Sequence, residues 1–366
     1  MAAIAAVVPV MQGLDKDISK IRQAHLAKKS VKKGDNAAGD KAASVSGVAW
    51  RKIANDVFRV PEFAVFLAVL VGIGCQIFMV LFTMLMFSLL FFSNQYLRPY
   101  VLVASVFYLA LMGYVNGFAT GRALKYLKLT DWLESAALAA FVFPCWICGS
   151  FFAIDCVEWV AGSSSAIPLT RAFYYCAVWA AVTVSLSFLG AYHAFLMPQR
   201  KPVTRVNPVA RRVPPQPCSL SPVVNIPVSG AIIFATIFIE FNYVMESVWS
   251  SYMYAMFGFL YVNLFVMILV VVCLAVRTTF GLVQHGNWNW AWHTFWMGGS
   301  VGLYVGAYSL YYMVWHLNVN FLGSEIVYLL YMYVATCAFS IMCGTISLLS
   351  GFFFLEFLYS NVKKYD

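Results

Sequence analysis

The sequence predicts an all-α protein, a polytopic transmembrane bundle of about eight spans with both termini in the cytosol. Three observations lead there. Of 366 residues, 62% are hydrophobic and only 11% are charged, with a mean hydropathy of +0.78. Soluble domains hold about 25% charged residues, so the main solvent of this chain is lipid, which admits only helices or a closed barrel. Second, the apolar residues come in unbroken runs of about 20 or more, where barrel strands would alternate over ~10 residues, and this selects helices. Third, eight such runs that begin from a cytosolic N-terminus put 22 of the 24 lysines and arginines on the cytosolic side, leaving only Arg98 and Arg171 opposite.

Residues 1–59 are expected to form a polar, Lys-rich cytosolic segment (Lys28, Lys29, Lys32, Lys33, Lys41, Arg51, Lys52), flexible apart from a short helix around Leu14–Ala27. Ala2–Met11 is apolar but short, holds Pro9 and lacks a basic start, so it does not read as a signal peptide. The membrane domain is expected over 60–360. Its runs are Phe63–Phe92, Tyr100–Gly121, Ser135–Ile154 and Ala172–Met197, then Val228–Trp249, Tyr252–Val276, Trp290–Trp315 and Ile326–Leu358. Between the fourth and fifth lies a cytosolic Pro/Arg-rich loop, 198–225, because the seven prolines of Pro198–Pro222 cannot continue a helix. Residues 361–366 form a cytosolic tail.

Topology accounts for the net charge of +9, with anionic membrane lipid as a secondary contact and no nucleic acid implied. Glycine recurs every fourth residue in the second run (Gly113, Gly117, Gly121) and in the seventh (Gly298, Gly302, Gly306). That spacing puts each set on one helix face, where backbones approach closely. The face serves either packing within the chain or a groove for another protein's helix. Glu240 lies mid-run in the fifth span, where a carboxylate either hydrogen-bonds between helices or lines a polar path. Glu246 stands about 120° round the same helix. Asp155 and Glu158 are placed to reach interfacial water.

Cys145 and Cys148 spell CxxC inside an apolar helix and are expected to be buried packing residues, since the soluble context of redox pairs is missing. The five histidines lack metal-ligand spacing, and no phosphate loop or nucleophile elbow is present, so neither an enzyme nor a cofactor is expected. Trp288, Trp290 and Trp292 fit an interfacial aromatic belt. The chain ends Lys363-Lys364-Tyr365-Asp366. A dilysine three and four residues from a cytosolic C-terminus has the form of a retrieval address read by coatomer, although lysines also end spans for topological reasons.

Taken in order, these segments resemble the nonaspanins, the transmembrane-nine superfamily. Asp56–Pro61, Val71–Gln76 and Gly113–Gly117 are similar to the opening spans of that family. Phe143-Pro144 with Gly149–Phe152, the loop Pro202–Gln216, Ile237–Glu240, Phe257–Leu260, Tyr308–Tyr312 and Gly344–Ile346 follow in the expected sequence. Lys364 and Asp366 match the family's C-terminal K-x-D/E Golgi-retention signal. The family's signal peptide, lumenal domain and one further span have no counterpart here. Asp15–Ser19 resembles the start of the loop after that span, with Ala5–Met11 read as its remnant, in a short form or an incomplete gene product. At acidic positions usual between the sixth and seventh spans stand Ala275, Gly286 and Asn287, so ion or proton handling by those carboxylates does not carry over.

The resemblance implies a Golgi or endosomal membrane protein that sorts and localises other membrane proteins, including clients with glycine-rich spans, and engages coatomer through Lys363, Lys364 and Asp366. The rival reading is a small-solute or ion transporter with Glu240 in the pathway.

Overall fold

A computed structural model describes residues 8–19, 53–91, 98–128, 132–163, 166–199, 204, 206–207, 209–249, 257–317 and 321–363. The described residues are almost entirely helical. A short helix, α1, covers residues 8–19. The bundle follows as α2 (Ala64–Phe91), α3 (Arg98–Leu111), α4 (Gly113–Tyr126), α5 (Trp132–Val160) and α6 (Leu169–Leu196). It continues with α7 (Pro222–Trp249), α8 (Phe257–Gln284), α9 (Ala291–Gly299), α10 (Val301–Trp315) and α11 (Leu322–Lys363).

Among the described residues, seven helices are long and apolar enough to cross a bilayer; α3 and α4, which meet at Met112, together supply one of them. The seventh run is interrupted at Ser300, and its pieces of 9 and 15 residues are each shorter than the ~20 a crossing needs. The two pieces nevertheless join opposite ends of the bundle. Trp290 at the start packs in a core with Val57, Phe58, Phe280 and Tyr359. Tyr312 near the end packs with Met245, Tyr328 and Met332. The seventh run is therefore present as two helical pieces that together reach from one end of the bundle to the other.

The span α2 is central: half of its most apolar stretch is buried inside the bundle, against a third or less for the other qualifying helices. Several boundaries differ from the sequence reading. The helix α7 starts at Pro222, inside the expected loop 198–225, because proline is tolerated in a first turn whose N–H groups have no helical partner. Pro227 follows within the same helix. The helix α8 runs to Gln284, eight residues past the expected end, and takes in Arg277.

Gly286 then closes α8 with φ +77°. The Asn287 amide donates to the Leu282 carbonyl at 2.9 Å and the Gly286 amide to Val283 at 3.1 Å, the paired bonds of a Schellman ending. The helix α11 has 42 residues, about 63 Å at 1.5 Å per residue, twice a ~30 Å hydrocarbon core.

The polar segment before the first span is not free along its described part. Ile53, Val57 and Phe58 are buried, and Leu14 of α1 joins the same core as Leu355, Leu358 and Tyr359. These apolar side chains alternate with polar ones in a sequence whose overall composition hid them.

Candidate functional site

All six seam glycines are packed against the chain's own helices. A Cβ added at Gly113 would lie 2.8 Å from the Thr183 carbonyl oxygen, one at Gly117 would overlap the Ser187 carbonyl, and one at Gly121 would lie 2.8 Å from the Ala194 Cβ. Gly190 of α6 answers from the other side, against Tyr114 and Phe118. The second set meets α11: Gly298 faces Ser347 and Cys343, Gly302 faces Ser340 and Thr336, and Gly306 touches Thr336 at an ordinary 3.5 Å. Small residues on both partners let backbones approach and let dispersion replace the hydrophobic drive that lipid lacks. A client groove at these glycines is accordingly filled from within.

Glu240 is buried at 4% exposure on a face of α7 shared with Asn225, Ser229, Gly230, Ile233 and Ile237. Ile233 and Ile237 of this face pack in one core with Leu264 and Met267 of α8 and with Val301 and Val305 of α10. Glu246, on another face, accepts from Asn242 at 3.3 Å, and Tyr308 donates to the Asn242 oxygen at 2.5 Å.

At the other end of α7 lies a buried polar cluster that the sequence reading missed. The Asn225 amide nitrogen stands 3.3 Å from Thr278 Oγ1 and 3.1 Å from His293 Nε2. One layer further, Thr279 and Thr294 are 3.2 Å apart, and Ser347 donates to the Thr294 carbonyl at 2.7 Å. A partial signal was present in the sequence, since the adjacent pairs Thr278-Thr279 and His293-Thr294 are polar residues beside long apolar runs.

The break at Ser300 sits against Gly230, with Ser300 Oγ 2.8 Å from the carbonyls of both Ile226 and Met297. Tyr304 donates to the Pro227 carbonyl at 2.8 Å. Side chains of the seventh run thus tie its two pieces to the backbone of α7 beside Pro227.

The three tryptophans also act as tethers: Trp290 donates to the Val57 carbonyl at 2.9 Å, Trp292 to the Glu62 carbonyl at 2.7 Å and Trp288 to the Arg211 carbonyl at 2.8 Å. Two expectations are corrected. Asp155 is buried at 3% exposure and accepts from the Ile167 amide at 2.9 Å, which fixes the turn between α5 and α6. Cys145 is exposed and Cys148 half-buried, not core residues, because their helix faces outward there; all nine cysteines are free. Among the described residues no group of histidine, cysteine and carboxylate side chains could hold a metal ion. Of the tail, α11 reaches Lys363, while Lys364 and Asp366 lie outside the described residues.

The Arg- and Pro-rich loop is tied to the segment before α2. Thr204 donates to the Ala54 carbonyl at 2.6 Å and the Asn207 amide to Asn55 at 3.0 Å. Arg59 donates to the Asn207 carbonyl at 2.7 Å and lies 3.4 Å from Asp56.

This ordered set of spans can be compared with known proteins. The family model for Endomembrane protein 70 matches residues 1–322. The chain belongs to this family. Transmembrane 9 superfamily members 8 and 9 of Arabidopsis thaliana are 31% and 32% identical to this nonaspanin, and member 2 of Homo sapiens is 30% identical. Each alignment takes in 86% of the chain but only 47–49% of the relative. The nonaspanin chain thus spans about half the length of the curated relatives it matches. No solved structure matches it. Gly286 is the left-handed residue that ends α8.

Proposed function

We propose that this nonaspanin is a Golgi or endosomal membrane protein that sorts and localises other membrane proteins, with its loop-bearing, basic end in the cytosol. The observation that carries the reading is the chain end. The helix α11 continues well past a bilayer's thickness to Lys363, and Lys364 and Asp366 follow it in sequence. An even number of crossings returns the C-terminus to the side of the N-terminal segment, and only there is a coatomer-read address legible. Lys363, Lys364 and Asp366 are assigned to coatomer, and client proteins meet the lipid-facing surfaces, since the six seam glycines are occupied within the chain.

The test is co-purification of coatomer with the full chain and with a Lys363→Ser/Lys364→Ser variant. Capture by the wild type alone supports the reading. Equal capture by both, or by neither, counts against it.

The transporter alternative rests on Glu240 and the broken seventh span. It ranks second: Glu240 is itself buried, and Ile233 and Ile237 on its face pack in an apolar core with Leu264, Met267, Val301 and Val305.

A further inference from the structure

A cavity of about 620 Å³ lies between α2, α4 and α11 at the basic end of the bundle. We propose that it is a site for one phospholipid with an anionic headgroup, drawn from the adjoining leaflet.

The walls are apolar over their whole depth. The span α2 contributes Leu67, Val71 and Cys75, and α11 contributes Leu348, Phe352 and Phe353. On α4 the lining runs from Val115 to Leu127, about 18 Å along the helix axis. Phe353 is 53% exposed, so the cavity reaches the bundle surface. Its volume falls within the range of roughly 300–1,000 Å³ typical of small-molecule sites.

The charge is confined to one end. The lining residues that carry charge are Arg59, Arg122 and Lys125, and none of the lining residues is acidic. All three stand where chain enters or leaves the bundle. Arg122 and Lys125 donate to carbonyls that end α6 (Pro198, and Phe195 with Met197), which fixes the two cations at the rim. Arg122 keeps further N–H groups beyond that bond. Arg59 lies 5.6 Å from the Trp288 ring centroid, and its Nε is buried with no hydrogen-bond partner. Asp56 offsets part of the Arg59 charge from outside the cavity, at 3.4 Å.

A deep apolar slot with a cationic mouth matches an amphiphile whose tail is apolar and whose head is a phosphate. Basic pockets between helices at the cytosolic face take such headgroups. A free phosphate would leave the slot empty, and a neutral lipid would bring no anion to the cationic rim.

The experiment uses the full chain in lipid nanodiscs with a photoactivatable phosphatidic acid, its reactive group on the acyl chain, mapped by peptide mass spectrometry. Phosphatidylcholine carrying the same group is the comparison, and glycerol phosphate is the soluble competitor. Expected are crosslinks on α2, α4 and α11 peptides that line the slot, lost in Ala119→Phe, which fills it. Arg122→Gln is expected to lower the preference for phosphatidic acid about fivefold, the size of one basic contact at a membrane surface. A monodisperse Ala119→Phe protein with unchanged crosslinks overturns the site. So does labelling spread over outward faces, or equal labelling by both lipids. Displacement by glycerol phosphate assigns the cavity to a soluble ligand, and a slot that never labels assigns it to the protein's own chain; either result also overturns the proposal. Should Ala119→Phe fail to fold, Leu349→Trp fills the same slot from α11.

Discussion

Trp290 and Val57 lie 233 residues apart in sequence and share a hydrogen bond of 2.9 Å, from the indole nitrogen to the Val57 carbonyl. The bond locks the entry of the broken seventh span to the segment ahead of the first. It explains how a stretch that reads as soluble becomes part of the membrane domain. Trp290→Phe keeps the ring and leaves the buried Val57 carbonyl without this donor, a cost of about 1–3 kcal/mol. Faster amide exchange over residues 53–59 in detergent-solubilised protein is the expected result, with protection at the centre of α2 unchanged.

The seam glycines rank by the space left to them. Gly117→Leu drives a side chain into the Ser187 carbonyl and should prevent α4 and α6 from closing, at a cost above the ~1–3 kcal/mol of ordinary overpacking. Gly306→Ala meets only Thr336 at 3.5 Å and should be tolerated, and Gly149→Ala meets nothing within 4 Å. Thermal denaturation of the three variants in one detergent checks the order. If Gly117→Leu melts with Gly149→Ala, the packing account of the seam fails.

Gly286 is held at φ +77°, where a side chain is strained. Gly286→Ala should lose about 1–3 kcal/mol of local stability and fray the end of α8. Proteolysis between α8 and α9 reports it, and an unchanged cleavage rate would speak against the Schellman ending.

Glu240 separates the two functional readings. Glu240→Gln preserves hydrogen bonding at the position, so stability and localisation should stay near wild type. Glu240→Leu removes that capacity and should cost about 1–3 kcal/mol if a buried partner is stranded. Solute or ion flux into proteoliposomes is expected to be the same with either carboxamide or carboxylate. Flux present in the wild type and abolished in Glu240→Gln would move the protein to the transporter class.

Much of the fold was legible because lipid enforces it. Each apolar run of about 20 residues has no alternative to a helix, so the spans lay open to reading, whereas Pro144, a candidate break in the third span, stands inside a continuous α5. Ends were harder. Pro222 reads as a loop residue, yet a proline in the first turn of a helix breaks no hydrogen bond, and α7 begins on it. The seventh run reads as one helix from its apolar length, yet Gly298-Gly299-Ser300 interrupts it where Ser300 meets Gly230 and the Ile226 carbonyl. The glycine seams announced close packing, while their partners on α6 and α11 are serines, threonines and alanines whose role depends on register across helices. The cavity was invisible for the same reason. Arg59, Arg122 and Lys125 are topological charges in sequence, and only the fold brings them to one rim.

The most direct test of the sorting role is the steady-state location of the N-terminally tagged chain in cells, imaged beside a Lys363→Ser/Lys364→Ser/Asp366→Ala variant. The account predicts that the wild type is held in the Golgi or early secretory pathway and that the variant escapes to later compartments or the surface. Identical distributions would contradict it: the lysines would then mark topology alone, and the reading as a coatomer-guided sorting protein would fall.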